Sequence, residues 1–232
     1  MSDHYHPPLV VAIDGPAGAG KSTVAARIAA RFSLLNLETG AMYRAFGLKA
    51  ILSDSDMDNA DELGQLAERT RIRLLPAAVG NRVLLDEADV TKRVREPDVT
   101  AAASRVSIHS GIRKWMVGMQ RQLGEHHSVV MEGRDIGTHV FPDAEVKIFL
   151  DANPEVRGQR RYQQNASTPI AVESVVAELR ERDHRDRNRA ESPLRPAADA
   201  VLIDSTHLSL DQVVEKVEAI IAARLLARSV PQ

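Results

Sequence analysis

The chain reads as short apolar runs separated by stretches of helical spacing. Residues 9–13 form a continuous apolar run, the mark of a strand covered on both faces; buried-strand patterns return at 128–131, 146–150 and 200–203, with a short strand candidate at 34–37. Between and around them, 24–32, 42–52, 154–165, 171–189 and 208–227 carry helical patterns, and the last of these is amphipathic. Strands alternating with helices predict an α/β fold with a parallel, doubly wound sheet. From residue 71 the period changes. Segments 71–75 and 82–86 flank a turn at Gly80 and Asn81, with a third short piece at 88–91, which predicts an antiparallel meander. An acidic, cap-rich connector at 54–61 and a helix near 62–70 precede the meander, and helices at 98–107 and 111–124 follow it. A meander enclosed by helices is the expected form of an inserted lobe.

Composition narrows the classes. The 232 residues fit one domain with an insertion, and 44% apolar content is enough for a real core. No apolar run reaches the ~18 residues of a membrane span, and residues 1–8 lack the basic-then-apolar order of a secretory signal, so a cytoplasmic protein without a membrane partner is expected. A net charge of −2 argues against a surface that tracks nucleic acid. With no cysteine, disulfide frameworks, thiol nucleophiles and thiolate metal sites are excluded together. The eight histidines are scattered, and the adjacent His126 and His127 read as a solvated turn. Of the 30 basic residues only six are lysines. Arginine grips phosphate and carboxylate in a planar, bidentate way, so its local clusters matter more than net charge.

Gly15-Pro16-Ala17-Gly18-Ala19-Gly20-Lys21-Ser22, followed by Thr23, satisfies G-x-x-x-x-G-K-[ST], with a buried strand before it and a helix after it. Glycines let successive backbone N–H groups converge on a phosphate, and the following helix directs its positive end to the same place. Lys21 reaches the β and γ oxygens, and Ser22 can bind Mg²⁺. The run therefore predicts a nucleoside triphosphate with Mg²⁺. A guanine-reading Asn-Lys-x-Asp element is absent, and Ile148-Phe-Leu-Asp151 is followed by Ala rather than the Glu of a hydrolysing ATPase. The abundant arginines, among them Arg44, Arg113, Arg134, Arg157, Arg160, Arg161, Arg182, Arg185, Arg187 and Arg189, suit transfer onto a phosphorylated acceptor.

Six stretches in order resemble the bacterial cytidylate kinases, the CMP/dCMP kinases. They are the phosphate loop from Ile13 to Thr23, Glu38-Thr-Gly-Ala-Met-Tyr-Arg44, Glu132-Gly-Arg-Asp-Ile-Gly137, Val140-Phe-Pro-Asp-Ala144 with Val146-Lys-Ile-Phe-Leu-Asp151, Arg182-Asp-His-Arg-Asp-Arg-Asn-Arg189, and Ser192-Pro-Leu-Arg-Pro-Ala-Ala-Asp-Ala200. The resemblance implies a single kinase domain: a P-loop core with helices on both faces of a parallel sheet (9–38, 105–150 and 190–229), a monophosphate-binding lobe at about 39–104 and a short lid at about 152–170. It implies substrate contacts from Thr39, Tyr43, Arg44, Ser104, Arg113, Arg134, Asp135, Arg182, Asp186 and Arg189. Arg134 would meet phosphate, Asp135 the cytosine amino group, and Arg182 and Asp186 the ribose hydroxyls. Lys21, Arg134, Arg189 and the lid arginines Arg157 and Arg161 would serve catalysis.

These roles are also chemically sensible. Cytosine presents a 4-amino donor and N3 and O2 acceptors, for which a carboxylate and a guanidinium are complementary. Residues 182, 186 and 189 follow i, i+4, i+7 and share a helix face, whereas a solvated helix laced with ion pairs is the plainer reading of Arg185 and Arg187. Two positions depart from the family pattern: Glu38 replaces the usual Asp, and His139 the usual Val. The expected activity is ATP-dependent phosphorylation of CMP and dCMP by a monomer. A broader UMP/CMP kinase and a P-loop module that senses nucleotides without transfer are the rivals.

Overall fold

The computed structural model describes residues 7–77, 80–164 and 171–228. In chain order the elements are β1 (Val10–Asp14), α1 (Lys21–Phe32), β2 (Leu35–Glu38), α2 (Thr39–Leu52), α3 (Ala60–Glu68), β3 (Ile72–Pro76), β4 (Asn81–Leu85), β5 (Ala88–Asp89), α4 (Pro97–Val106), α5 (Ser110–His126), β6 (Val129–Gly133), β7 (Val146–Asp151), α6 (Pro154–Gln164), α7 (Val172–Asn188), β8 (Val201–Asp204) and α8 (Leu210–Arg228). A 3-10 turn at Arg93–Arg95 and a π-turn at Ile136–Val140 complete them, and neither carries a periodic sequence signal. They fall into two compact units, Met1–Leu34 with His127–Gln232, and Leu35–His126.

In the first unit the parallel strands run in the order β6-β1-β7-β8. Val11, Ala12 and Ile13 of β1 are fully buried, the consequence of an apolar run at the centre of a covered sheet. Val11 and Ile13 join Val24, Ala25 and Ile28 of α1 and Val213, Val214, Val217 and Ile221 of α8 in one core. Ala12 is equally buried on the opposite face, as the period of two requires. The expected parallel α/β sheet is present.

In the second unit β3, β4 and β5 form the antiparallel meander, with Ile72 opposite Leu85 and Pro76 opposite Asn81. The third piece is shorter than expected, because Asp86 and Glu87 turn the chain with positive φ of 47° and 70° and strand pairing ends at Asp89. Helix α2 is buried on nearly every side. One side meets Leu63, Leu66, Ile112 and Met116 through Met42 and Phe46, and another meets Val83, Leu85, Val94 and Val99 through Ala41, Ala45 and Leu48. Phe46 and Trp115 pack tilted at 59°, with centroids 5.2 Å apart. Helix α5 belongs to this unit, which therefore reaches past the lobe boundary near 104 expected from the sequence. Its Ile112 and Met116 complete the apolar cluster that α2 and α3 begin.

Gly47 lets α2 and α4 approach closely. A Cβ there would lie 2.7 Å from the Ala103 nitrogen and 3.2 Å from the Ala102 Cβ, so backbone would have to move. Gly47→Ala should destabilise the protein by ~1–3 kcal/mol in urea unfolding, despite alanine's better helix propensity. A change near zero would mean the two helices separate without cost.

Candidate active site

Strand β1 ends at Asp14 and the glycine-rich run begins. At Gly15 φ is +149°, and a Cβ would sit 2.0 Å from the Leu150 carbonyl oxygen, so only glycine lets the chain leave the sheet here. Helix α1 starts at Lys21, with left-handed Gly20 (φ 93°) as its cap and no side chain on its first amides. Those amides and the aligned helix dipole form an anion-binding end. Lys21 Nζ donates to the Pro16 carbonyl at 2.8 Å, folding the side chain back over the loop. Burial, followed by the positive charge of Arg134, pulls Lys21 down to about 7, against the opposing pull of Glu132. Ser22 Oγ donates to Glu132 Oε1 at 2.9 Å. A hydroxyl and a carboxylate in contact are a hard oxygen pair of the kind that suits Mg²⁺, which takes few protein ligands beside phosphate and water. Among the described residues there is no cluster of three or more His, Cys, Asp or Glu side chains able to hold a metal by themselves. Glu132 was not singled out in the sequence. Its position at the end of β6, level with the phosphate loop, was the available signal.

The first unit gathers a second set of residues. Arg134 Nε donates to Asp186 Oδ2 at 2.9 Å, and Arg189 lies 3.6 Å from Asp135 Oδ1 and 3.9 Å from Asp186 Oδ1. Burial works to raise Asp186, but Arg134 and Arg182 outweigh it and hold the carboxyl below its usual range. On α7, Arg182 and Asp186 are shielded and Asp183 is buried, whereas Arg185 and Arg187 are exposed, which is the face division the spacing implied. Arg189 follows the last residue of the helix, with its Nε donating to the Ser192 carbonyl at 2.5 Å.

In the second unit the Arg113 guanidinium stacks 5.8 Å from the centroid of the Tyr43 ring. Arg44 is ion-paired with Glu38, one of the two departures from the family pattern. Thr39 is buried at the start of α2, and Ser104 Oγ donates to the Thr100 carbonyl on its own helix at 3.2 Å.

Arg157 stands apart from its sequence reading. Instead of lying on a mobile surface it is 2% exposed, 2.6 Å from Asp183 Oδ2, and it donates to the Ala152 and Ala17 carbonyls at 2.8 Å each. It braces the phosphate loop from below. Arg160 is engaged with Ser205, and only Arg161 among these arginines is exposed. Residues 165–170 of the expected lid lie outside the described residues.

A glycine loop at the end of a central parallel strand, with a buried lysine and a hydroxyl–carboxylate pair beside it, defines a P-loop nucleotide-binding fold. The family model for cytidylate kinase matches residues 11–223. The cytidylate kinase of Solibacter usitatus is 47% identical over 229 residues, covering 97% of each chain. That of Bacillus velezensis is 46% identical over 92% of this chain and 96% of its own, and that of Desulforamulus reducens 48% over 89% and 94%. The chain belongs to the cytidylate kinase family, and is a phosphotransferase. No helix among the described residues is long and apolar enough to cross a membrane.

Two outcomes follow from the geometry. Arg157→Ala should cost ~3–5 kcal/mol, because it strands the buried Asp183 charge, while Arg161→Ala should stay within ~0.5 kcal/mol of the parent. Equal effects in urea unfolding would contradict the buried brace. A depressed folded pKa at Asp186 contributes stability that is present above the unfolded value and is lost as pH falls below it. Asp186→Asn should therefore flatten the decline of unfolding free energy as pH falls below about 4, relative to the parent. Parallel declines would show that Asp186 is not held ionised by its arginines.

Proposed function

We propose that the protein transfers the γ-phosphoryl group of ATP to CMP and dCMP, working in the cytoplasm as a monomer. The observation that carries this reading is the buried Asp135 carboxylate with the Arg189 guanidinium 3.6 Å away. That pairing complements the amino donor and ring acceptors of cytosine. Uracil would put a carbonyl where the amino group stands and leave the carboxylate unpaired.

The phosphate of CMP is already ionised near neutrality, so attack needs no general base. Catalysis then rests on alignment and on positive charge around the transferring group. Loop amides and Lys21 hold the donor phosphates, and Arg161 approaches from the lid. Arg157 acts through the Ala17 carbonyl, keeping the loop in shape. Ser22, with Glu132 orienting it, would hold Mg²⁺, which offsets charge on the β and γ oxygens when bound. Arg44, Arg134 and Arg189 grip the acceptor, Tyr43 and Thr39 border its phosphate, and Ser104 and Arg113 meet the base. Asp186 keeps Arg134 on one oxygen and offers its carboxylate to a ribose hydroxyl beside Arg182.

A coupled ADP-release assay over a panel of nucleoside monophosphates tests the reading. CMP should exceed UMP by at least ~10²-fold in kcat/KM, since a site with buried polar groups matched to one base rejects a mismatch strongly. Lys21→Ala should lower turnover by orders of magnitude in a protein that still unfolds cooperatively. Equal use of UMP would establish the broader UMP/CMP enzyme, and no transfer to any acceptor would establish a sensing module.

A further inference from the structure

Strand β1 is apolar until its last residue, Asp14, which is 4% exposed and lies next to the first glycine of the phosphate loop. Its two carboxylate oxygens are both used: Oδ1 accepts from the Ile136 amide and Oδ2 from the Gly137 amide, each at 2.8 Å. Those two amides open the π-turn and directly follow Asp135. The other end of the same backbone is also fixed, because the Asp135 carbonyl accepts from His139 N at 2.9 Å and Val140 N at 3.2 Å. A Cβ at Gly137 would meet the Lys147 side chain at 3.2 Å and Asp14 Oδ2 at 3.5 Å, so the turn is packed closely over the carboxylate. Burial pushes Asp14 up to about 7, against the two amide bonds, so this carboxyl is placed at a cost that an apolar residue in the strand would not carry.

We propose that Asp14 is a positioning residue for base selection, anchoring through the Ile136 and Gly137 amides the backbone that aims the Asp135 carboxylate. One side chain then ties the segment that cradles the donor phosphates to the segment that reads the acceptor base, and the geometry of each is referred to the other. With both oxygens taken by backbone amides, Asp14 acts through the backbone and not on a reacting atom. The inference rests on the proposed reading of Asp135 as the cytosine-reading group.

The test is the CMP:UMP ratio of kcat/KM in Asp14→Asn. Asparagine offers one acceptor and one NH₂ to two N–H donors, so one anchor is lost while size is conserved. The ratio should fall about tenfold or more, mainly through a higher KM for CMP. In an Asp135→Ala background the same substitution should leave the ratio unchanged, because the group it aims is gone. A general structural role would depress CMP and UMP alike, and an unchanged ratio in Asp14→Asn overturns the inference. The unmutated protein in the same panel separates the two hypotheses: if it shows no preference for CMP, the reading of Asp135 has failed rather than the anchor. Amide hydrogen exchange on the unmutated protein decides the matter if the variant does not fold. Core-like protection of Ile136 and Gly137 supports the anchor, and exchange at loop rates overturns it.

Discussion

Residue 15 passes so near the Leu150 carbonyl that no side chain fits, and the phosphate loop depends on that crowding. A parallel sheet with both faces covered brings the ends of β1, β6 and β7 level, and the chain can leave the central strand only through a conformation without a Cβ. Once it has turned there, the start of α1 and the Lys21 ammonium fall at the sheet's carboxyl edge, with Glu132 alongside. Ligands of open α/β sheets bind outside the carboxyl ends of the strands, where helix N-termini present unpaired amides.

Concentrating charge at such an edge has an energetic consequence. Lys21, Glu132, Asp135, Asp14, Arg157 and Asp183 are all buried in the first unit, and none would be placed there for stability alone. The arrangement limits the cost by alternating signs. Arg157 faces Asp183 and Arg134 faces Asp186, while the Asp14 carboxylate is held by backbone amides instead of a cation. What remains uncompensated is the field at Lys21, where burial and Arg134 disfavour the ammonium. A polyanion supplies the missing negative charge, so binding energy and site strain are two sides of one electrostatic imbalance.

Most of the architecture was legible in the sequence because each element satisfies its own period. The central strand is an apolar run up to Asp14, the meander is marked by its turn at Gly80 and Asn81, and α7 divides its charges by face. The departures share one cause, which is contacts between residues far apart in the chain. Helices α1 and α2 begin at Lys21 and Thr39, three residues before their apolar pattern, because Lys-Ser-Thr and Thr-Gly-Ala carry function or tight packing instead of an apolar stripe. The π-turn is held by a carboxylate 122 residues away. Arg157 looks like its neighbours Arg160 and Arg161 in the sequence, and its distant partners, Asp183 on another helix and the Ala17 carbonyl, distinguish it. Local spacing could place the site residues on their elements, but it could not say which guanidinium would be buried.

The departure at Glu38 follows the same logic. A carboxylate just before α2 reaches Arg44, six positions on, and the two form an ion pair with both side chains mostly shielded. The extra methylene of glutamate lengthens the reach from a backbone that is still extended at residue 38. Arg44 Nε is buried with no hydrogen-bond partner among the described residues, so the pair holds the guanidinium by its Nη2 end alone. A buried donor in that condition is costly until an acceptor arrives, and a phosphate oxygen is the acceptor for which a guanidinium is shaped. The glutamate therefore keeps a negative charge beside Arg44, the residue proposed to grip the acceptor, while placing that charge one methylene farther from the backbone than an aspartate would.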